Sequence, residues 1–496
     1  MDKSYSLAPD FSWFIFSPDE TALYTLQTTD GGENWTQGLV EGHMGRLRYR
    51  KASYYTPDSG ILVTSVNKTS EAAAIQEFLR DTQKLVYQSA SKTFVEHYDE
   101  IMAGTFHGEI INEECDEKWR NEIMCQTAAY HYEIVGSFLR PEELKQAREQ
   151  FEAGQITAEE LKAIEDEAIR TLVAKQKAVG LKTISDGEFR RSYWHLDFFW
   201  GFKGIEHNVM DQGYLFHGEE TRADSARLNG RIQYNPNHPV FEEYVFLTTI
   251  ADGLPIRQSI PAPAQLLAEL VRGSNEDRVN EVYPDREVLY QDIAKAYRET
   301  ILALYELGCR DIKLDDCTWG MLVDKNFWET MTNGVYDTQQ LQKLYLRLNN
   351  DAIADLPEDL HVTTHVCRGN YHSTWATSGG YEPIADTLLG NQDVAAFFLE
   401  FDDDRSGDFE PLRFVPAEKQ VVLGLVTSKD GKLEGKDTLI SRIKEASQYV
   451  PLERLSLSPQ CGFASTEEGN ILTEEEQWAK VSLVIDVANE VWGQKA

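Results

Sequence analysis

The sequence predicts an α/β protein, a β/α barrel preceded by a small β-rich or mixed region. Three observations lead there. From about Tyr130 onward, β-prone runs alternate with amphipathic helices over roughly 360 residues, as a barrel or an open doubly wound sheet requires. Chemistry-bearing residues of that stretch stand where apolar runs give way to Pro, Gly or acidic residues, the transition expected at a barrel's catalytic rim. Residues 1–125 lack the alternation and read as a separate region, leaving 126–496 for the barrel.

Composition narrows the classes. At 496 residues the chain exceeds one ordinary domain, and 42% hydrophobic with 26% charged residues suits a folded chain with a substantial core. The net charge of −34 argues against nucleic acid and anionic membranes as partners, because both are gripped by accumulated Lys and Arg. No apolar run is long enough for a membrane span, and Asp2, Lys3 and Asp10 do not read as a signal sequence, so the cytoplasm is the expected compartment. Six dispersed cysteines, Cys115, Cys125, Cys309, Cys317, Cys367 and Cys461, favour free thiols or selected metal ligands over a disulfide framework.

In the first region, Phe11–Phe16, Ala22–Leu26 and Gly60–Val66 are short β-prone runs separated by turn residues, and from Asp81 to Tyr130 the pattern is mixed and partly helical. Thr28–Trp35, TTDGGENW, resembles one Asp-box turn of a β-propeller. With no second copy it reads as a hairpin turn.

Nine β-prone runs follow. They are Tyr132–Phe138, Thr183–Phe189, Val245–Ile250, Ile256–Ile260, Asp311–Asp315, His361–Cys367, Ala395–Phe401, Val421–Thr427 and Leu455–Cys461. Nine for an eight-stranded barrel means that at least one is an extra strand or a core segment of another kind. Among the helices, Thr157 and Glu160 have capping-box spacing, Leu161, Ile164, Ala168 and Leu172 form an apolar stripe, and Gly180 provides a stop. Thr473 and Glu476 repeat the box for a last helix carrying Trp478, Ile485 and Trp492.

The most informative short pattern is His365-Val366-Cys367 in TTHVCRGN. On a strand, residues two apart face the same way, so imidazole and thiolate can approach one ion. His361 would pair with His365 only on a helix, and this run reads as a strand. Glu400 in FFLEFDDD and Cys461 in LSLSPQCGF, both at ends of strand-like runs, would complete a tetrahedral zinc set of one nitrogen, two sulfurs and one oxygen. The structural alternative has Glu400 opening a solvated acidic turn and Cys461 packing in the core.

The segments YEIVGSFLRP, ISDGEFRRSYWHLDFFWG, IKLDDCTWG, TTHVCRGN, FFLEFDDDRSGDFEPLRF, VVLGLVTSK and LSLSPQCGF occur in the order found in cobalamin-independent methionine synthases. Residues 130–496 resemble the catalytic half of that family, especially its shorter single-barrel bacterial relatives; residues 1–125 show no such resemblance. The resemblance implies a (β/α)8 TIM barrel, catalytic zinc, and transfer of a methyl group from a methylated folate to a thiol, giving methionine from homocysteine. It carries the zinc ligands onto His365, Cys367, Glu400 and Cys461. Homocysteine binding falls on Val135, Gly136, Ser137, Glu188 and Asp315. Glu188 and Asp315 suit a substrate ammonium, and Ser137 with a backbone N–H suits its carboxylate. The residue-level alternative for Glu188 is a salt bridge to Arg190 or Arg191.

Two departures stand out. Where the family has a DIHS-like segment whose histidine helps protonate the leaving nitrogen, this chain has GLVTSK, with Thr427 at the aspartate and Lys429 at the histidine. Thr427 does not titrate like imidazole, and the ordinary lysine pKa of about 10.4 is far from a histidine's. His195 is another candidate proton donor, with packing or substrate positioning as the alternative, and His217 is a weaker one. Asp402–Asp404 reads as solvent-facing charge. The second departure is that residues 1–125 are too short for the extra barrel that helps full-length members hold polyglutamylated folate, so methylcobalamin or a shorter folate is an alternative donor. Other readings are a different zinc-dependent thiol alkyl transferase or thioether-cleaving enzyme, and a non-catalytic small-molecule-binding barrel whose first region is an interaction module for an unknown partner.

Overall fold

The computed structural model describes the strands between Lys3 and Val66 and residues 130–327 and 337–493. The chain divides into two compact units, Met1–Asn121 and Glu122–Ala496. In the first, β1 (Lys3–Ala8), β2 (Phe11–Phe16), β3 (Leu23–Thr28) and β4 (Thr36–Val40) form an antiparallel sheet in chain order, and β5 (Leu47–Thr56) pairs with β6 (Ser59–Val66). The Asp-box-like segment joins β3 to β4, which pair antiparallel with Gln27 opposite Thr36. Residues 29–35 themselves, and residues 81–129, lie outside the described residues.

The second unit opens its β structure with an antiparallel pair, β7 (Lys203–Val209) and β8 (Asp224–Gln233). Its main sheet is parallel and made of β9 (Arg257–Pro261), β10 (Asp311–Asp316), β11 (His361–Val366), β12 (Ala396–Glu400), β13 (Gln420–Val426) and β14 (Leu455–Pro459), ordered as in the chain. Helices connect successive strands, as parallel neighbours require. Apart from Gln420 and His361 at their starts, the residues of these strands are buried; β12 and β13 accordingly read as near-continuous apolar runs, whereas β9, β10 and β11 bury polar and charged side chains. The first two β-prone runs flank this sheet as single parallel bridges, Tyr132 beside Leu457 of β14 and Ile184 beside Ile256 next to β9.

Val245–Ile250 is not a strand. It is the second half of a helix, Pro239–Ile250, that starts with Pro at its first turn and with the His238 side chain accepting from the Val240 N–H. Its buried residues Val240, Tyr244 and Leu247 follow helical spacing, and this outweighs the β-branched composition of VFLTTI. The β7–β8 pair was not anticipated, because its strands are mostly exposed or half-buried and carry charged and polar residues. Both capping boxes form: Thr157 with Glu160 opens helix Ala158–Val179, closed by left-handed Gly180, and Thr473 with Glu476 opens helix Glu474–Trp492.

At the amino ends of the strands lies a buried ion cluster. The Arg257 guanidinium bonds Glu133 Oε2 at 2.6 Å and pairs with Asp311 Oδ2 at 2.9 Å, and His361 Nδ1 stands 3.8 Å from Asp311 Oδ1. Burial would raise the Asp311 carboxyl, but Arg257 beside it holds the pKa down to about 2. His361 thus belongs to the end of the sheet opposite His365. Arg257→Met is expected to destabilise this unit by about 3–5 kcal/mol, because it strands two buried carboxylates. Denaturant unfolding checks this, and Glu133→Gln added to the variant should recover part of the loss.

Candidate active site

The carboxyl ends of the strands converge on a cavity of about 640 Å³ lined by Val135, Ser137, Glu188, His195, Asp315, His365, Cys367 and Cys461 among others. Parallel register sets part of this: Asp315 on β10 is level with His365 on β11, and His365 with Phe398 on β12. Cys367 follows β11 directly, with its N–H donating to the Asp316 carbonyl at 3.2 Å. Cys461 follows β14, and a Cβ on the next residue, Gly462, would meet Ser137 Oγ at 1.8 Å, so glycine permits the two segments to touch.

One donor atom from each of His365, Cys367 and Cys461 lies within 4.8 Å of the others, and all three residues are buried. The two sulfurs are 3.6 Å apart. His365 Nδ1 donates to the Phe398 carbonyl at 3.2 Å, so Nε2 carries the lone pair, and that buried nitrogen has no partner. The Cys317 thiol pushes the Cys367 thiol well up, and Cys367 does the same to Cys461. Thiols crowded in this way, beside an unpartnered imidazole nitrogen, fit a soft divalent cation that replaces their protons.

Glu400 is fully buried at the end of β12 but stands outside that three-donor group. Its Oε2 accepts from the Arg368 N–H at 2.9 Å and its Oε1 from Lys429 Nζ at 3.3 Å. Lys429 Nζ also meets Asp402 Oδ2 at 3.3 Å, and the Asp402 side chain is only 2% exposed. The run Asp402–Asp404 is therefore not uniformly solvated: Asp403 and Asp404 are exposed, whereas Asp402 is half of a buried pair. Burial would lower the Lys429 pKa, but the Glu400 and Asp402 carboxylates raise it, so this ammonium holds its proton tightly. Thr427 Oγ1 accepts from the Lys429 N–H and shapes the turn.

Glu188 sits at φ +59°, left-handed backbone that a non-glycine residue rarely adopts. Its Oε1 is 3.7 Å from Arg191, and its buried Oε2 has no partner. Arg190 pairs instead with Glu165 and Asp166. Burial lifts the Glu188 pKa to about 7, against the pull of Arg191. Asp315 faces the same cavity and is paired with Lys313, two residues earlier on its strand. Gly136, at φ +135°, presents its carbonyl to Ser185 Oγ at 2.6 Å.

His195 is buried against Trp194 and Tyr214, with Nε2 2.9 Å from the Tyr214 hydroxyl. Burial, helped by Arg272, lowers its pKa to about 3, so the ring is neutral and has no imidazolium proton to give. His217 stacks on Trp375 and is not among the residues that line the cavity. Residue-by-residue reading missed Cys317, Lys313, Tyr214 and Glu269. The first two carried a signal, since Cys317 directly follows KLDD and Lys313 shares a strand face with Asp315.

The sequence family described as the cobalamin-independent synthase catalytic domain matches residues 132–205 and 275–490. The chain belongs to that family. It is 45% identical to the protein YxjH of Bacillus subtilis over 366 residues, covering 74% of this chain and 95% of YxjH. YxjG of the same organism is 46% identical over 359 residues, covering 72% and 93%. A crystal structure from Listeria monocytogenes, solved as a candidate vitamin-B12-independent methionine synthase, superposes with a TM-score of 0.57 at 37% identity, covering 74% of this chain and 98% of that one. Membership of this synthase family supports an enzymatic, methyl-transferring role in general and a fold similar to the synthase catalytic barrel. Among the described residues, no helix is long and apolar enough to cross a membrane.

Proposed function

We propose that this synthase-family chain is a zinc-dependent methyltransferase that moves a methyl group from a methylated folate, or from methylcobalamin, to the thiol of homocysteine, giving methionine. In this reading the segments Tyr132–Phe138 and Thr183–Phe189 complete an eight-stranded barrel with β9–β14. The single observation that carries it is the buried triad of His365, Cys367 and Cys461 in one cavity with the unpartnered Glu188 carboxylate oxygen.

His365, Cys367, Cys461 and Glu400 would hold the zinc, which when bound supplies the Lewis acidity that keeps a substrate thiol deprotonated near neutral pH. Glu400 would be the exchangeable member of that set, because the Arg368 N–H and Lys429 already offer its carboxylate other partners. Glu188 and Asp315 receive the substrate ammonium, and Ser137 with the adjoining Val135–Gly136 backbone receives the carboxylate. This fixes the sulfur for in-line attack on the methyl carbon. The S–C bond forms as the bond to the donor atom breaks, the electron pair of that bond staying on the donor atom; on a folate the leaving nitrogen takes a proton from solvent, which balances the one the thiol gave up on binding. Lys429 serves best as a fixed cation that positions Glu400, since it holds its own proton tightly.

The test measures methionine formation from homocysteine with 5-methyltetrahydrofolate or methylcobalamin, alongside metal content. About one zinc per chain is expected, with turnover lost on chelation and restored by zinc. Turnover in zinc-free protein, or no methionine from either donor, would overturn the reading.

A further inference from the structure

A directional hydrogen-bond chain ends on a buried, unpartnered acceptor of His195, a residue that lines the same cavity. Glu269, 1% exposed, accepts from Ser225 Oγ at 2.5 Å and from the Ala226 N–H at 3.2 Å on Oε1, and pairs with Arg272 at 3.2 Å. Everything around this carboxylate donates to it. The Tyr214 hydroxyl therefore gives its one proton to Glu269 Oε2, at 2.5 Å, and its oxygen is left to accept. His195 Nε2, 2.9 Å from that oxygen, must carry the ring N–H. Nδ1 is then a lone pair, and it is buried with no partner. The Arg272 guanidinium stacked 4.0 Å over the Tyr214 ring holds the relay in place. Tyr214 and Glu269 lie in the 206–274 stretch between the two family-matched segments, and Tyr214 is in the connection from β7 to β8.

We propose that His195 Nδ1 is the hydrogen-bond acceptor for an N–H on the flat heterocycle of the methyl donor, with Tyr214 and Glu269 fixing the ring tautomer that keeps the acceptor free. This rests on the reading of the cavity as a methyl-transfer site. The lining residues in ring contact with His195 are flat, Tyr193, Trp194 and Tyr214, which suits a planar partner, whereas the carboxylates and thiols that suit an amino-acid thiol are Glu188, Asp315 and the His365 triad. His195 is accordingly a binding residue for the donor and plays no part in protonating its leaving atom.

The test uses the full-length, zinc-loaded protein with 5-methyltetrahydrofolate as donor probe and homocysteine as control. In His195→Gln the amide can still donate to Tyr214 but leaves the Nδ1 place empty; in His195→Asn the amide oxygen can occupy that place. The Gln variant is expected to bind the folate about tenfold more weakly, a loss of about 1.4 kcal/mol, and to raise its KM with little change in kcat. The Asn variant should bind within roughly threefold of wild type, and homocysteine affinity should be the same in all three proteins. Nitrogen NMR of 15N-histidine protein should find His195 protonated at Nε2, with that preference weakened in Tyr214→Phe. Equal folate binding by the Gln variant, or a ring protonated at Nδ1, overturns the inference while intact homocysteine binding leaves the proposed function standing. Loss of homocysteine binding by the wild-type protein sinks both.

Discussion

Cys461→Ser is expected to abolish high-affinity zinc binding and to lower methionine formation by about 3 × 10³-fold. The magnitude has two parts. A substrate thiol with an ordinary pKa near 8.5 is only a few per cent thiolate at neutral pH, so losing its activation costs roughly thirtyfold. Losing the fixed position of the sulfur relative to the methyl carbon costs on the order of a further 10²-fold. Cys461 is one of three donors clustered within 4.8 Å, so a hydroxyl in its place leaves one nitrogen and one sulfur of that cluster, with the Glu400 carboxylate as the remaining member of the proposed set. Metal analysis after dialysis and single-turnover kinetics check the two halves separately. Near-wild-type zinc content with full turnover would remove Cys461 from the site. An unchanged thermal midpoint of the metal-free variant would show that the loss is chemical and not a folding defect.

Glu188→Gln is expected to weaken homocysteine binding by roughly 10- to 100-fold, the range of a hydrogen bond between charged groups. It should also remove a pH dependence. Burial raises the Glu188 pKa to about 7, so below that pH the ammonium meets a neutral acid, and above it a carboxylate. Homocysteine affinity of the wild-type protein should therefore rise as the pH climbs through about 7 more steeply than the loss of the thiol proton alone requires, and the Gln variant should keep only the thiol's share of the rise.

The same shift sets a stability trend. A carboxyl whose folded pKa lies above its unfolded value of about 4.3 favours folding most below that value, and this contribution is lost as the pH rises through about 7. Free of ligand, the Gln variant should be more stable than wild type above neutrality, with the gap closing toward pH 4. Titration calorimetry and thermal denaturation across pH 5–9 measure both trends. An unaltered pH profile in the variant would assign it to another group.

Much of the fold could be read along the chain because its determinants are local. Thr157 with Glu160 and Thr473 with Glu476 place two helix starts to the residue, since a cap needs only its own turn. The apolar runs of β12 and β13 are visible because strands buried on both faces carry few interruptions. Val245–Ile250 misled for the complementary reason: a short β-branched run carries no period of its own, and the cap that makes it a helix sits seven residues upstream at His238. The candidate site divides the same way. His365 and Cys367 are two apart on one strand end, so their approach follows from backbone geometry alone.

The contacts between distant side chains needed the folded molecule. Nothing near Glu400 in the sequence indicates that Lys429 and the Arg368 N–H engage its oxygens, nor that Asp402 is withdrawn from solvent to meet the same lysine. The Glu133–Arg257–Asp311 cluster joins three segments, and the Glu269–Tyr214–His195 relay gives its histidine a tautomer that composition cannot specify. Turns and caps depend on neighbours a few residues away, so the sequence alone places the two helix starts that carry capping boxes and brings His365 and Cys367 to one strand end. The partner of a buried charge or hydroxyl depends on the packing of elements tens to hundreds of residues apart, and only that packing decides which groups are satisfied and which, like Glu188 Oε2 and His365 Nε2, are left without a hydrogen-bond partner.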